Sequence, residues 1–277
     1  MILAITDKCS MGCSHCLSDC TPDLGHTTFE QFKKNLEWCF DPKLFAHPIL
    51  ISGGEPFEHP EIKNILEYTA ERYNKVASPQ NNKMPRVPKM ITVITNGLRL
   101  VKDSDFYSWY KNFTKKNPWL LTQITNVKEY YPVTFTDKEK YWLGKIHGAF
   151  LCCNINDIAL YPQGRALNLD DPEYKTKGPK CANIRMIAKQ LSEISARELF
   201  NTIAFRLHKF CEPRINIDGS ISIGESRLCP PIGTVDDSEE ALLNSIRKFN
   251  CSSCKISIER LKNTSPAGYE LFIADNN

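Results

Sequence analysis

Short apolar runs alternate with segments of helical periodicity along the first half of the chain. The runs of strand length are residues 2–6, 48–52, 90–94 and 120–124. Between them, apolar residues recur at helical spacing, and Thr27 with Glu30 three residues later is typical of a capping box that opens a helix. Strands that alternate with helices predict repeated β-α units, and therefore an α/β fold with a parallel sheet.

The pattern changes after residue 210. Asp218-Gly219 separates two short apolar stretches and predicts a β-hairpin, and Asp237 or Ser238 is placed to cap a helix that follows. These elements predict a small C-terminal module that carries cysteines and is not a further β-α unit. We therefore predict two domains, over residues 1–205 and 206–277.

Composition narrows the class of protein. The 277 residues are 42% hydrophobic and 24% charged, as in ordinary globular proteins, and a net charge of +3 without a basic block makes a nucleic-acid partner unexpected. The chain has no apolar run of about 18 residues and no secretory signal, so we expect a cytoplasmic protein without a membrane anchor. Twelve cysteines in such a chain are more typical of metal ligands or reactive thiols than of disulfides.

Three of these cysteines follow the first apolar run directly. Cys9, Cys13 and Cys16 form a C-x3-C-x2-C motif. Three thiolates hold three irons of a cubane cluster and leave the fourth iron open, and an open metal position is a reactive one. A structural zinc site is the alternative. Zinc in such sites has four ligands, whereas the motif itself supplies three, so Cys20 would have to be the fourth.

Small and polar residues follow the other predicted strands. The second strand ends in Ser52-Gly53-Gly54-Glu55-Pro56 and the third in Thr95-Asn96-Gly97, and Gln123, Thr125 and Asn126 lie at the end of the fourth. The carboxyl ends of parallel strands meet at one edge of a sheet, so these residues are expected to lie near the three cysteines. Glycine allows a close approach of the backbone to a ligand. Each motif alone is also typical of a turn at a strand end.

Taken together, the motifs resemble the signature of the radical S-adenosylmethionine (radical SAM) superfamily. The resemblance implies a partial (β/α)6 TIM-like barrel and a 4Fe-4S cluster whose open iron binds the amino and carboxylate groups of S-adenosylmethionine. It further implies reductive cleavage of S-adenosylmethionine to a 5′-deoxyadenosyl radical that takes a hydrogen atom from a substrate. A flavodoxin-type or ferredoxin-type protein is the implied electron donor.

The resemblance also implies roles for individual residues. Glu55 and the backbone around it hold the amino group of S-adenosylmethionine, His15 lies near the adenine, and Arg165 in a GRA-type motif pairs with the carboxylate. A solvated arginine after a turn is the alternative for Arg165. The full set of implied cofactor contacts is His15, Gly53, Gly54, Glu55, Pro56, Thr95, Asn96, Gln123, Thr125, Asn126 and Arg165.

The remaining cysteines fall into two groups. The C-terminal group resembles the ligand set of a Twitch or SPASM auxiliary-cluster module, and Gly224 stands at the position of that module's glycine. Its members are Cys211, Cys229, Cys251 and Cys254. Because no cysteine follows Cys254, the one-cluster Twitch version, with a second 4Fe-4S cluster, fits better; a four-Cys zinc ribbon is the alternative. Cys152 and Cys153 are candidates for a catalytic hydrogen-atom donor, or else belong to the core.

These inferences predict an oxidation or a bond formation, most simply on a peptide or protein, as in a maturase. The same chemistry on a small metabolite or nucleotide is one alternative, and a non-enzymatic zinc or iron–sulfur scaffold is another. The first apolar run begins at residue 2, so we expect no N-terminal peptide-recognition domain. This expectation weakens the peptide hypothesis without removing it.

Overall fold

Eight strands form one sheet in the computed structural model. The structure describes residues 1–44, 47–77, 90–154, 163–169, 194–200, 213–249, 262–263 and 266. The strands are β1 (Ile2–Thr6), β2 (Ile49–Gly53), β3 (Ile91–Thr95), β4 (Leu120–Thr125), β5 (Ala149–Cys152), β6 (Pro213–Ile215), β7 (Ser220–Ile223) and β8 (Pro231–Thr234). They are arranged in the order β5-β4-β3-β2-β1-β6-β7-β8.

Six of the strands are parallel. Strands β1 to β5 follow one another across the sheet, and β6 pairs with the other side of β1 in the same direction. Strands β7 and β8 extend this edge in antiparallel pairing. The turn between β6 and β7 contains Gly219 at φ +86°, so the hairpin predicted around Asp218-Gly219 is confirmed.

The described helices are α1 (Phe29–Cys39), α2 (Ile62–Ala77), α3 (Leu98–Lys102), α4 (Ser104–Lys116), α5 (Asp137–Leu143) and α6 (Glu239–Lys248). The start of α1 differs from the prediction by one residue. Thr28, not Thr27, accepts the hydrogen bond from the backbone N–H of Gln31, so the predicted pairing of Thr27 with Glu30 is wrong. Of the two candidates for the cap of α6, Ser238 is the residue that accepts from Ala241.

One hydrophobic cluster packs against the sheet. Its buried members include Leu3, Ile5, Ile51, Val93, Phe32, Leu36, Ile65, Phe106, Tyr110, Ile215, Ile221, Leu242 and Ile246. Residues from β6, β7 and α6 therefore share a core with β1 to β3 and α1 to α4. Strand β6 pairs with β1, and the carboxyl end of β1 leads into the cysteine motif. None of the helices in the described ranges has the length and apolar character needed to cross a bilayer.

Candidate active site

A cavity of about 340 Å³ opens at the carboxyl ends of β1 to β4. It brings together most of the site residues predicted from the separate motifs. Among the residues that line it are Cys9, Cys13, His15, Cys16, Gly53, Gly54, Glu55, Thr95, Asn96, Gln123 and Thr125. The expectation that the strand-end motifs meet beside the cysteines is therefore confirmed for these residues.

The three cysteines lie in a loop that is hydrogen-bonded both within itself and to the turn that follows β2. Cys9 donates its backbone N–H to Thr21, 3.1 Å away. Ser10 donates from its backbone N–H and its hydroxyl to the carboxylate of Glu58, at 2.9 and 3.0 Å. This carboxylate, which the sequence reasoning missed, ties the cysteine loop to the turn that follows β2.

Burial dominates the electrostatics of the first two thiols. It raises the pKa of Cys9 to about 11 and that of Cys13 to about 12, and the neighbouring cysteines add to the rise in both cases. Buried thiolates so close together need a cation to balance their charge, and a bound metal supplies one. The donor set of three clustered thiols therefore fits the iron–sulfur cluster that the resemblance implies.

The arrangement of ligands also bears on the zinc alternative. Within the described ranges, no three His, Cys, Asp or Glu side chains are grouped so as to hold a single metal ion. A cubane does not require such convergence, because each thiolate binds a different iron. Cys20 lies next to Cys16 and shares a hydrogen bond with it, yet the four thiols do not form a single-ion site.

Two glycines allow the end of β2 to press against the end of β1. Gly54 donates its N–H to the carbonyl of Thr6 at 2.7 Å. A Cβ atom on Gly53 would lie 1.9 Å from the Thr6 oxygen, and one on Gly54 would lie 2.1 Å from the Lys8 oxygen. The close approach predicted from these glycines therefore takes place, in the structure, against the backbone that leads into the cysteine loop.

Glu55 connects the second and third strand-end motifs. Its Oε1 accepts from the hydroxyl of Thr95 at 2.6 Å and from the Phe57 N–H at 2.9 Å, and its Oε2 accepts from the Asn96 N–H at 2.7 Å. Burial raises its pKa to about 7, although these hydrogen bonds oppose the rise. A carboxylate has about four acceptor positions, so Oε2 retains capacity for a further donor on a ligand.

The other polar residues differ in whether they line the cavity or are hydrogen-bonded to the surrounding protein. Gln123 and Thr125 line the cavity and lie 3.5 Å apart, from Nε2 to Oγ1. Asn126 instead donates to Val133 and accepts from Phe135, and it is absent from the cavity lining among the described residues. Pro56 is buried and begins a short 3-10 turn, so it shapes the turn that supports the site.

His15 lies beside two tyrosines that the sequence reasoning missed. Its ring centroid lies 5.1 Å from those of Tyr130 and Tyr131. Its Nδ1 is buried without a hydrogen-bond partner. Burial, together with the charge of Arg165, lowers its pKa to about 4, so the ring is neutral at neutral pH. A neutral flat ring with an unsatisfied nitrogen at the cavity fits the predicted contact with an adenine.

Arg165 faces the cysteine loop. Its Nε donates to the carbonyl of Cys13 at 2.9 Å, and its Nη1 donates to Asp19 Oδ1 at 2.9 Å and to the Cys20 carbonyl at 3.1 Å. Gly164, at φ +57°, brings this segment so close that a Cβ atom would lie 2.4 Å from the Cys16 oxygen. The side chain of Arg165 is thus hydrogen-bonded to three acceptors of the protein and is not a freely solvated arginine. Its pairing with a cofactor carboxylate stays a prediction.

A second arginine, missed from the sequence, forms part of the cavity wall. Arg214 on β6 is 2% exposed, and it donates to Asp7 at 3.0 Å, to Asn216 at 2.8 Å and to the Glu225 carbonyl at 3.1 Å. Burial lowers its pKa. The only sequence signal was a charged residue within a short strand.

The remaining cysteines are only partly described. Cys229 is buried beside the amide of Gln163, 3.7 Å from Nε2, and a Cβ atom on Gly224 would lie 2.4 Å from its sulfur. Cys211, Cys251 and Cys254 lie outside the described residues. Cys152 ends β5 and is buried, and Cys153 is partly exposed. Neither of these two is among the described residues that line the cavity.

Comparison with known proteins gives one curated relative and several similar folds. The antilisterial bacteriocin subtilosin biosynthesis protein AlbA of Bacillus subtilis (strain 168) is 36% identical over 101 residues, which span 36% of this chain and 19% of AlbA. The structure of native anSMEcpe with bound AdoMet aligns with a TM-score of 0.52 at 14% identity, over 100% of this chain and 99% of that chain. BtrN in complex with AdoMet and 2-DOIA aligns with a TM-score of 0.48 at 12% identity, over 92% and 88%. No family model matches the chain.

The fold predicted from the sequence, a partial TIM-like barrel of parallel strands, is confirmed by the likeness to anSMEcpe over the whole chain. The match to AlbA adds identity in sequence to this likeness in fold. The chain thus resembles AlbA over part of its sequence and anSMEcpe in its fold. It also carries the C-x3-C-x2-C loop at the end of β1 and the Gly-Gly-Glu-Pro turn at the end of β2, the two motifs on which the resemblance to the radical SAM superfamily rests.

Proposed function

We propose that this chain is a radical SAM enzyme that oxidises a peptide or protein substrate or forms a new bond in it. The observation that carries the proposal is one cavity that is lined by Cys9, Cys13 and Cys16 together with Glu55 and Thr95. Thiolates for a cluster and a carboxylate for an ammonium group are thereby presented to the same small volume. AdoMet is bound in the structure of anSMEcpe, whose fold the chain resembles.

Different residues of this chain would bind the cluster and S-adenosylmethionine. Cys9, Cys13 and Cys16 would hold a 4Fe-4S cluster, and Glu55 offers its free acceptor position to the amino group of S-adenosylmethionine. An ammonium group beside Glu55 would also favour its charged form, which burial alone disfavours. Once bound, the cluster and S-adenosylmethionine together supply the 5′-deoxyadenosyl radical that removes a hydrogen atom from the substrate.

Cys229 supports a second, auxiliary 4Fe-4S cluster as part of the proposal. This cysteine is buried, and the Gly224 backbone and the Gln163 amide lie directly against it. Hydrogen bonds to sulfur ligands are one of the means by which proteins adjust cluster potentials. An auxiliary cluster would accept an electron from the substrate radical or anchor the substrate, and an external flavodoxin or ferredoxin would supply the electron that starts the reaction.

The peptide substrate is supported by the relative. AlbA is a biosynthesis protein for a bacteriocin, and it matches this chain over 101 residues. The share of AlbA that is matched, 19%, leaves most of that protein without a counterpart. The substrate class is therefore tested separately from the cleavage of S-adenosylmethionine.

Cleavage of S-adenosylmethionine tests the chemistry. The chain is reconstituted anaerobically with iron and sulfide and reduced with dithionite, and 5′-deoxyadenosine is measured after addition of S-adenosylmethionine. We expect product with the wild type and a loss of at least about 100-fold with Cys13→Ala, because the cluster loses one of its three ligands. Cys39→Ala serves as the matched control, since Cys39 is fully buried in α1. Product formation by Cys13→Ala at the wild-type rate would disprove the proposal.

A mass measurement tests the substrate class. Candidate precursor peptides, encoded near the gene for this chain, are incubated with the active enzyme, and their masses are compared before and after reaction. Loss of two hydrogens, about 2 Da, is expected for an oxidation or a bond formed between two positions of the peptide. If 5′-deoxyadenosine forms but no peptide changes in mass while a small metabolite does, the radical chemistry stands and the peptide substrate is wrong.

A further inference from the structure

Residues 13–20, the second part of the cysteine loop, have little backbone structure of their own. Its internal backbone hydrogen bonds are long: 3.4 Å from the Cys16 N–H to the Cys13 carbonyl and 3.5 Å from the Asp19 N–H to the Cys16 carbonyl. Asp19 has φ +49° and is the only non-glycine residue in the left-handed region within the described ranges. Such a conformation persists only where the surroundings hold it in place.

Arg165 contacts the loop at both ends. Its backbone N–H donates to Cys16 at 3.0 Å and its Nε to Cys13 at 2.9 Å. Its Nη1 then reaches the Cys20 carbonyl at 3.1 Å and the carboxylate of Asp19 at 2.9 Å. Two of the cysteines expected to bind the cluster therefore have their own carbonyl groups bound by this one residue.

Arg227 and Ser226 contact the middle of the loop. The Arg227 guanidinium donates to Ser18 at 2.6 Å and to the Asp19 carbonyl at 3.1 Å, and the Ser226 hydroxyl donates to Leu17 at 2.8 Å. Together with the contacts of Arg165, these bonds satisfy the carbonyl groups at all five consecutive positions from 16 to 20.

The contacts suit arginine specifically. A guanidinium is planar and carries five donors in a fixed geometry, whereas a lysine ammonium acts as a point charge and cannot reproduce a fork across successive carbonyls. Arg227 also lies two residues before Cys229, so the segment that carries this cysteine is fixed to the cysteine loop.

We propose that Arg165 and Arg227 are positioning residues that hold the cysteine loop in the shape needed to retain its iron–sulfur cluster. This inference rests on the proposed function, because it requires a cluster at Cys9, Cys13 and Cys16. The two guanidinium groups donate their hydrogen bonds to carbonyl groups of the loop and, in the case of Arg165, also to the Asp19 carboxylate. Loss of either one releases part of the loop and allows the cluster to leave faster.

The lifetime of the cluster tests whether Arg165 and Arg227 hold the loop in place. The full chain and its Arg165→Gln, Arg227→Gln, Arg165→Lys and Arg227→Lys variants are reconstituted, and an iron chelator is added under anaerobic conditions. The surviving cluster is followed by the electron paramagnetic resonance signal of the reduced protein that changes when S-adenosylmethionine is added, which isolates this site from an auxiliary cluster. We expect the signal to decay at least tenfold faster in both Gln variants, with intermediate rates in the Lys variants.

Arg72→Gln is the matched control, since Arg72 forms an ion pair with Glu37 between α2 and α1, and its decay should follow the wild type. Thermal unfolding of each variant separates release of the cluster from loss of the fold. If a Gln variant does not fold, the corresponding Lys variant is used in its place. A cluster that lasts as long in that Lys variant as in the wild type overturns the positioning role. Folded Gln variants with lifetimes within twofold of the wild type also overturn it and leave the proposed function intact. A wild-type chain that binds no iron overturns both.

Discussion

At the scale of single residues, the carboxylate of Glu55 shows how burial and hydrogen bonding oppose each other at this site. Glu55 is 2% exposed and accepts three hydrogen bonds, yet burial still raises its pKa from 4.5 to about 7. The folded chain therefore binds a proton that the unfolded chain has released between these two pH values. By linkage, this group makes the free energy of unfolding fall as the pH rises through that window.

The corresponding prediction concerns the metal-free, reduced chain. The rise in pKa corresponds to about 3 kcal/mol of stability lost between pH 4.5 and pH 7. Urea unfolding of the wild type and of Glu55→Gln at about pH 5 and pH 8 should show the advantage of the wild type shrinking by about this amount, because glutamine does not titrate. Glu30→Gln removes a surface carboxylate and should follow the wild type. Parallel pH profiles for the wild type and Glu55→Gln would contradict the prediction.

At the scale of elements, the sequence located the strands that carry the site to within one residue. Apolar runs predicted β1 to β4 because strands buried in a parallel sheet are almost uniformly apolar. Helix α5 was missed although Thr136 and Glu139 form a capping box at its start, since its seven residues show too little periodicity. The reason for the glycines at 53 and 54 was found only in the structure, because the register of β1 against β2 is not visible in one sequence.

Gly54→Ala tests the packing of these two strand ends. The added Cβ atom would lie 2.1 Å from the Lys8 carbonyl oxygen, so the backbone must shift, and we expect a loss of about 3 kcal/mol in the free energy of unfolding. In Gly144→Ala, the nearest atom to the new Cβ is 3.5 Å away, and the residue has helical geometry. This control should change stability by less than about 1 kcal/mol. Equal effects of the two substitutions in urea unfolding would show that the strand ends are free to separate.

At the scale of the whole molecule, the site depends on contacts between residues that are far apart in the chain. Arg165 contacts Asp19 across 146 positions and Arg214 contacts Asp7 across 207. Neither pair could be predicted from one sequence, because no local pattern specifies a partner at such separation. The sequence predicted a C-terminal module from the hairpin and the cysteines; it did not reveal that β6 joins the sheet beside β1, since a three-residue strand gives almost no periodic signal.

The buried ion pair between Asp7 and Arg214 provides a test of how tightly the C-terminal strands are joined to β1. The side chains are 13% and 2% exposed, so removal of the arginine leaves a carboxylate with little water around it. We expect Arg214→Met to cost about 3–5 kcal/mol in urea unfolding. Addition of Asp7→Asn should recover part of this loss, with a coupling energy of roughly 1–3 kcal/mol.

Lys34 and Asp236 form the matched control pair, because they link α1 to the segment that follows β8 but are 60% and 69% exposed. Their coupling energy should be below about 1 kcal/mol and should shrink further in high salt, since water and ions screen exposed charges. The coupling of Asp7 with Arg214 should persist in salt, because solvent has little access to either side chain. If both pairs give the same small, salt-sensitive coupling, then the hydrophobic residues of β6 to β8 and α6, rather than the ion pair, hold this edge of the sheet against the cysteine loop.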